Sequence, residues 1–275
     1  KPENRKKKCA SYDWERGLGT CHNCDSTFQL HTYQRKGATD KEYIRPVDPP
    51  KEEFNIPRTK VAEWFETRGI STETLIDLQI SEGPEYMPQT GKTENTIKFN
   101  YYVGDQLINV KYRDGRKNFK LYKGAEKVFY NINSIVGYDS CVITEGEMDV
   151  LALHEAGVKN CVSVPNGATM THNNLDYLDN CIDYFEDKKQ IILALDTDAP
   201  GLALRTEFVR RLGAEACFLV DFEDCKDANE YLIKYGKDKL KQAIDKAKAY
   251  PLENVTTFKD IEGDVKDFVK NGFKP

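Results

Sequence analysis

The sequence predicts an α/β chain, α+β overall: a doubly wound parallel sheet, preceded by a basic α+β subdomain and a small N-terminal ribbon. Three observations predict it. Between residues 139 and 235, apolar runs of strand length alternate with helical periodicity, the pattern of parallel strands joined by right-handed crossovers. Between residues 96 and 134, apolar positions alternate with period two and are broken by turn residues, as in antiparallel hairpins. Residues 1–36 are polar, with three cysteines and short alternating stretches.

Each segment follows in order. After the ribbon, residues 37–53 carry Pro46, Pro49 and Pro50 among many charges, the composition of an extended, mobile linker. The next segment, 54–138, opens with a helical pattern through Val61, Trp64, Phe65, Ile70, Leu75 and Leu78. Within it Ser71-Thr72-Glu73-Thr74 supplies an N-cap and an acidic first turn. Strands start at Thr96, with Gly104-Asp105 and Asp114-Gly115 as their turns. Cys141–Thr144 then reads as a buried strand leading through Gly146 into a helix that ends near Gly157. Cys161–Val164, Ile191–Leu195 and Cys217–Val220 read as further strands, with helices between them. Residues 236–250 predict one more helix, and 251–275 an acidic tail.

Composition excludes several classes. With 39% hydrophobic, 31% charged and 11% aromatic residues in 275, the chain is globular and large enough for about two domains. Its longest aliphatic run, Ile191–Leu195, is far short of the roughly 20 residues of a membrane span. Eight cysteines without an apolar leader read as reduced thiols, not as a disulfide scaffold. The net charge of −5 hides an asymmetry: residues 1–36 carry +4, residues 97–127 carry +5 and residues 139–230 carry −12. Basic segments beside a strongly acidic one suggest phosphate contacts on one side and cation binding on the other.

The acidic residues gather where open α/β sheets place their ligands, at the carboxyl ends of strands. One strand runs into Glu145-Gly146-Glu147-Met148-Asp149, another into Asp196-Thr197-Asp198, and a third is followed by Asp224 and by Asp227-Ala228-Asn229-Glu230. Any one of these Asp residues would serve as a helix N-cap. Three clusters on successive strand ends call for more, because like charges so close need a cation. Carboxylate oxygens suit hard ions such as Mg²⁺ or Mn²⁺.

Glu145-Gly146-Glu147-Met148-Asp149, Asp196-Thr197-Asp198-Ala199-Pro200-Gly201 and Lys226-Asp227-Ala228-Asn229-Glu230 together resemble the three signatures of a Toprim domain, over about residues 139–235. That resemblance implies Glu145 as acid/base, Asp196, Asp198 and Asp227 as metal holders joined by Glu145, and Asp149 as a supporting member of the catalytic set.

Upstream, Lys111 and Arg113 fall on one face of a strand, with Lys117 and Lys120 after the turn. Such a face suits triphosphate and template phosphates, and an exposed strand guarded by lysines would look the same. The block is similar to the basic subdomain before Toprim in phage primase-helicases and Twinkle-like helicases. Trp64-Phe65-Glu66-Thr67-Arg68-Gly69-Ile70-Ser71 resembles the helix that opens their RNA polymerase domain. Residues 1–36 resemble the second half of the same family's zinc ribbon. Cys21-His22-Asn23-Cys24 is a C-x₂-C knuckle, so Zn²⁺ would sit on Cys21 and Cys24. Cys9, His22 or His31 could complete an atypical site, and a ribbon that has lost its metal is the alternative. Tyr12, Trp14 and His31 would stack on bases. His154, His172, Cys141, Cys161, Cys181, Cys217 and Cys225 have no ligand spacing and read as packing residues.

The resemblance implies a DNA primase that makes RNA primers from ribonucleoside triphosphates on single-stranded DNA, with Mg²⁺ or Mn²⁺. Its partners would include a covalently linked helicase domain, hexameric or heptameric, and no membrane. Its place would be cytoplasmic, at the replisome, with a mitochondrial one left open. A silent Twinkle-like DNA-binding module and a Toprim nuclease are the alternatives. No G-x₄-G-K-[ST] loop is present, so no motor is encoded here, and the ends at Lys1 and Pro275 are expected to be cuts in a longer replication protein.

Overall fold

A computed structural model of the chain describes residues 10–13, 18–21, 27–29, 42–47, 59–167 and 175–251. Strands β1 (Ala10–Asp13), β2 (Leu18–Cys21) and β3 (Thr27–Gln29) form an antiparallel meander. Cys9, Cys24, His22, His31 and Trp14 lie outside the described residues, and Tyr12 and Cys21 are described only as backbone within β1 and β2. Most of the expected linker is also outside them. Its described part, residues 42–47, is docked: Ile44 N–H donates to the Gly124 carbonyl at 3.0 Å and Arg45 pairs with Glu126 at 2.9 Å.

Helix α1 (Lys60–Thr67) is capped by Thr59, whose hydroxyl accepts from Ala62 N–H. Helix α2 (Thr72–Asp77) is capped by Ser71, the residue its sequence marks. A four-stranded antiparallel sheet follows in chain order: β4 (Ser81–Met87), β5 (Lys92–Val103), β6 (Gln106–Arg113) and β7 (Phe119–Leu121). The β5–β6 connection is the two-residue Gly104-Asp105 turn, with Gly104 at φ +58°. β4 has no apolar alternation to announce it and contains Gly83 and Pro84. It forms because β5 templates it over seven paired positions, and its outer side is a sheet edge, where proline is tolerated.

The second sheet holds β8 (Ser140–Thr144), β9 (Cys161–Ser163), β10 (Gln190–Ala194), β11 (Cys217–Leu219) and β12 (Lys248–Ala249), in the spatial order β12-β11-β10-β8-β9. The first four are parallel; β12 runs antiparallel at the edge. Between them lie α3 (Glu147–Glu155), α4 (Asp176–Cys181), α5 (Ala199–Leu212), α6 (Ala228–Tyr235) and α7 (Lys237–Asp245). The final predicted helix therefore stops at Asp245, and the chain turns back to pair Ala249 with Phe218. The helix expected after Leu175 is one short turn that tightens into a 3-10 segment at Ile182–Tyr184.

The two sheets share one core. Phe65, Ile80 and Phe99 from the first part are buried together with Val142, Leu151 and Leu193 of the second. Cys141, Cys161, Cys181, Cys217 and Cys225 are buried within the fold. Of the described helices, none is long and apolar enough to cross a membrane.

Candidate functional site

The chain leaves β8 towards β9 on one side and reaches β10 on the other, so strand order reverses between β8 and β10. At such a switch point the loops after the two strands part and open a crevice. Glu145 follows β8, and Asp196 and Asp198 follow β10. Carboxylate oxygens of these three lie within 4.8 Å of one another.

Backbone donors fix the cluster. Asp196 N–H donates to Glu145 Oε1 at 3.0 Å. Asp198 caps α5, its Oδ1 accepting from Gly201 N–H at 3.0 Å, while its Oδ2 is 3.9 Å from Lys226 Nζ. Capping and cluster membership thus coexist in one carboxylate. Gly201 is itself required: a Cβ there would lie 2.2 Å from the Asp196 carbonyl oxygen and 2.6 Å from Glu145 Oε1. Asp227 caps α6, accepting from Glu230 N–H at 2.8 Å.

Asp149 is buried in the first turn of α3 and accepts from Asn229 N–H at 3.1 Å. Burial, with Asp227, Asp196 and Glu145 nearby, pushes its carboxyl well above the usual range. Asp196 is pushed up as well, by burial first and by Asp227 and Asp198, against the pull of Lys226. Both shifts come from burial first and from neighbouring carboxylates second. Lys226 offsets part of that charge, with Nζ 2.8 Å from Asp196 Oδ2. Sequence reasoning missed Lys226 although it opens the third signature, because a lysine beside Asp227 reads as solvated surface.

The basic residues form the facing wall. Lys111, Arg113 and Lys120 line a cavity of about 520 Å³ together with Phe119, Glu145, Glu147 and Asn166. None of the three projects freely. Lys111 is buried, with Nζ 2.9 Å from both oxygens of Glu147, to which the Tyr101 hydroxyl also donates. Lys120 pairs with Glu85 at 2.6 Å, and the Arg113 guanidinium stacks 4.3 Å from the Trp64 ring. Lys117 does not join them. It is exposed on the 114–118 loop at φ +67°, and that loop is wound on buried Asp114, which accepts from Arg116 N–H and Asn118 N–H. Glu147 is the second residue the sequence left unassigned. Its carboxylate becomes a wall component because Lys111 of β6 reaches it at the first residue of α3.

Asn229 ties the two parts beside the acids. Its side chain accepts from Arg68 Nε at 2.7 Å and donates to the Arg68 carbonyl at 2.9 Å, while its backbone holds Asp149.

Residues 142–232 match the Toprim-like family. A primase homolog protein of Arabidopsis thaliana is 37% identical over 212 residues, covering 71% of this chain and 61% of that protein. The chloroplastic/mitochondrial Twinkle homolog protein of the same plant is 35% identical over 219 residues, covering 74% of this chain and 30% of that protein. The chain is thus similar to Toprim primases of the primase-helicase type. Among solved structures, the primase fragment of the bacteriophage T7 primase-helicase superposes with a TM-score of 0.57 at 24% identity, covering 86% of this chain and 92% of that one. The RNA polymerase domain of Mycobacterium tuberculosis primase gives 0.55 at 13% identity, over 81% and 90%. Those two superpositions establish the Toprim primase fold. The chain spans about three-fifths of one curated relative and under a third of the other.

Proposed function

We propose that this Toprim primase chain synthesises short RNA primers on single-stranded DNA by metal-dependent nucleotidyl transfer. One observation carries the reading: the carboxylates of Glu145, Asp196 and Asp198 meet at the switch point, and Glu145 lines the same cavity as Lys111, Arg113 and Lys120. The donor set fits a hard divalent ion. Its three carboxylates bring oxygens within 4.8 Å of one another, and such oxygens suit Mg²⁺ or Mn²⁺.

Asp196 and Asp198, with Asp227, would hold Mg²⁺ or Mn²⁺. Such an ion stabilises charge on the triphosphate and the departing pyrophosphate. Glu145 accepts the proton as the primer 3′-oxygen bonds to the α-phosphorus and the bond to pyrophosphate breaks. Arg113 and Lys120 contact the triphosphate. Lys111 spends two donors on Glu147 and has a third N–H for a phosphate oxygen. Asp149, held by Asn229, supports the acids from behind. Zn²⁺ on Cys21 and Cys24, with Cys9 as a further ligand, would serve template choice in the ribbon, and a helicase joined to the chain is the expected partner.

A second reading has a specific observation in its favour. Lys226 already neutralises Asp196, as expected of a module that grips DNA without catalysis. A single assay separates them: template single-stranded DNA, labelled ribonucleotides and Mg²⁺. Primer synthesis lost in Asp198→Ala and Glu145→Gln supports the primase. DNA binding with no primers from the unaltered chain would establish the silent module.

A further inference from the structure

Three buried polar side chains from three elements meet at the wall of the nucleotide cavity. Phe99 of β5 pairs with Lys111 of β6, so Tyr101, two residues on, shares a sheet face with Lys111 and lies diagonally across from it. Glu147, the first residue of α3, reaches both. The Tyr101 hydroxyl donates to Glu147 Oε1, and Lys111 Nζ is 2.9 Å from each oxygen of the same carboxylate. Tyr101 is 0% exposed, Glu147 3% and Lys111 8%. Glu147 and Lys111 line the cavity; Tyr101 stands behind them, outside the lining.

Each link fixes the next. The Tyr101 ring is held in the core, edge-on to Tyr130 with centroids 5.2 Å apart. Burial first, and then the charge of Glu147, push its hydroxyl well above the usual tyrosine range, so it remains a donor. A glutamate has several rotamers, and a fixed donor selects the one that turns both oxygens towards Lys111. Glu147 in turn supplies the counter-charge that a buried ammonium requires. The Phe119 ring lies 5.2 Å from the same ammonium. We propose that Tyr101 is a positioning residue for nucleotide binding: acting through Glu147, its hydroxyl holds the Lys111 ammonium where its third N–H meets a phosphate oxygen of a ribonucleoside triphosphate. A lysine loses rotamer freedom when it clamps a phosphate, and here that loss is already taken in folding. The Lys120–Glu85 pair is more open, its side chains 23% and 30% exposed, and is free to exchange. The inference rests on reading this cavity as the nucleotide site of a primase, and its test separates the two.

Tyr101→Phe removes the hydroxyl and keeps the ring. Binding of radiolabelled ATP, with Mg²⁺ and single-stranded template present, is measured by equilibrium dialysis, and KM and kcat for ribonucleotides by primer synthesis. The ATP dissociation constant and KM should rise together, roughly three- to tenfold, the worth of one hydrogen bond, with kcat within about twofold of wild type. A second background separates positioning from general loosening. In Lys111→Met/Glu147→Gln protein there is no ammonium to position, so adding Tyr101→Phe should leave ATP affinity unchanged, the non-additivity expected of groups that act through one another. Wild-type ATP affinity in Tyr101→Phe, a fall in kcat at unchanged KM, or the same loss of affinity in both backgrounds would overturn the proposal and leave the primase reading standing. The stated loss of ATP affinity in a chain that makes no primers would support the proposal and overturn the primase reading. No ATP binding by the unaltered chain would overturn both.

Discussion

The acidic and basic walls of the candidate site are built on opposite plans. The acids sit on tight loops after β8 and β10, held by backbone donors and by the absence of a side chain at Gly201. The bases sit on an antiparallel sheet and reach the cavity on long side chains that already have partners: Glu147, Glu85 and Trp64. Precision on one side and exchangeable pairing on the other is what phosphoryl chemistry asks for. Metal ligands tolerate little displacement, whereas a triphosphate arrives carrying its own charge and can take over a lysine.

Lys111 breaks the pattern on the basic wall, since its pairing is buried. Lys111→Met would leave the Glu147 carboxylate buried with the Tyr101 hydroxyl but without a counter-charge, a loss of about 3–5 kcal/mol by urea unfolding. Adding Glu147→Gln should restore most of that stability. If Lys111→Met costs no more than Lys120→Met, expected at about 0.5 kcal/mol for a partly exposed pair, the contrast between buried and exchangeable pairs collapses.

On the acidic wall, Gly201→Ala tests positional precision directly. The added methyl must displace the Asp196 carbonyl or Glu145. Overpacking should cost about 1–3 kcal/mol of stability, and a displacement approaching 1 Å should cut primer synthesis on the order of 100-fold. Wild-type activity in Gly201→Ala would show that the Glu145–Asp196 spacing is looser than the hydrogen bond between them implies.

The two parts are joined by Glu155, at the end of α3. Burial draws its carboxyl upward, but donors from Lys237, Thr74 and Ser71 outweigh this and hold it at about 2. A carboxyl lowered in the folded state stabilises the fold above its unfolded value, near 4.3, and loses that contribution as pH falls towards 2. Glu155→Gln should therefore cost about 1–3 kcal/mol at neutral pH and flatten the acid limb of the stability profile. Equal slopes for both proteins between pH 4.5 and about 2 would remove Glu155 as the link.

How much of this was legible in the sequence depends on the range of the interaction. The parallel strands, the Ser71 cap and the three acidic signatures are local patterns, and each lies where its residues place it. β4 and β12 were not legible, because pairing with β5 and β11 makes them strands against their own composition. The alternation of Lys111 and Arg113 pointed to one face correctly. What that face meets, Glu147 on α3 and Trp64 on α1, depends on packing between segments 36 and 49 residues away. Lys226 was illegible for the same reason: its neighbour in the chain is Asp227, but its partner in space is Asp196.

That lysine carries the smallest expected effect. Lys226 is more than half exposed, with Nζ on Asp196, and its ammonium is held above the usual lysine range by that hydrogen bond first and by the charges of Asp196, Asp198 and Asp227. A divalent ion entering among Glu145, Asp196 and Asp198 competes with it for the same oxygens. Lys226→Met should therefore tighten Mn²⁺ binding several-fold, read by titration calorimetry, and the gain should shrink as salt screens the pair. It should also lower the melting temperature slightly in metal-free buffer and not in Mn²⁺, because only the metal-free cluster needs the ammonium. Weaker Mn²⁺ binding in Lys226→Met would mean that the lysine assists the ion instead of standing in for it. The acidic wall would then contain an exchangeable side chain of the kind otherwise found opposite it.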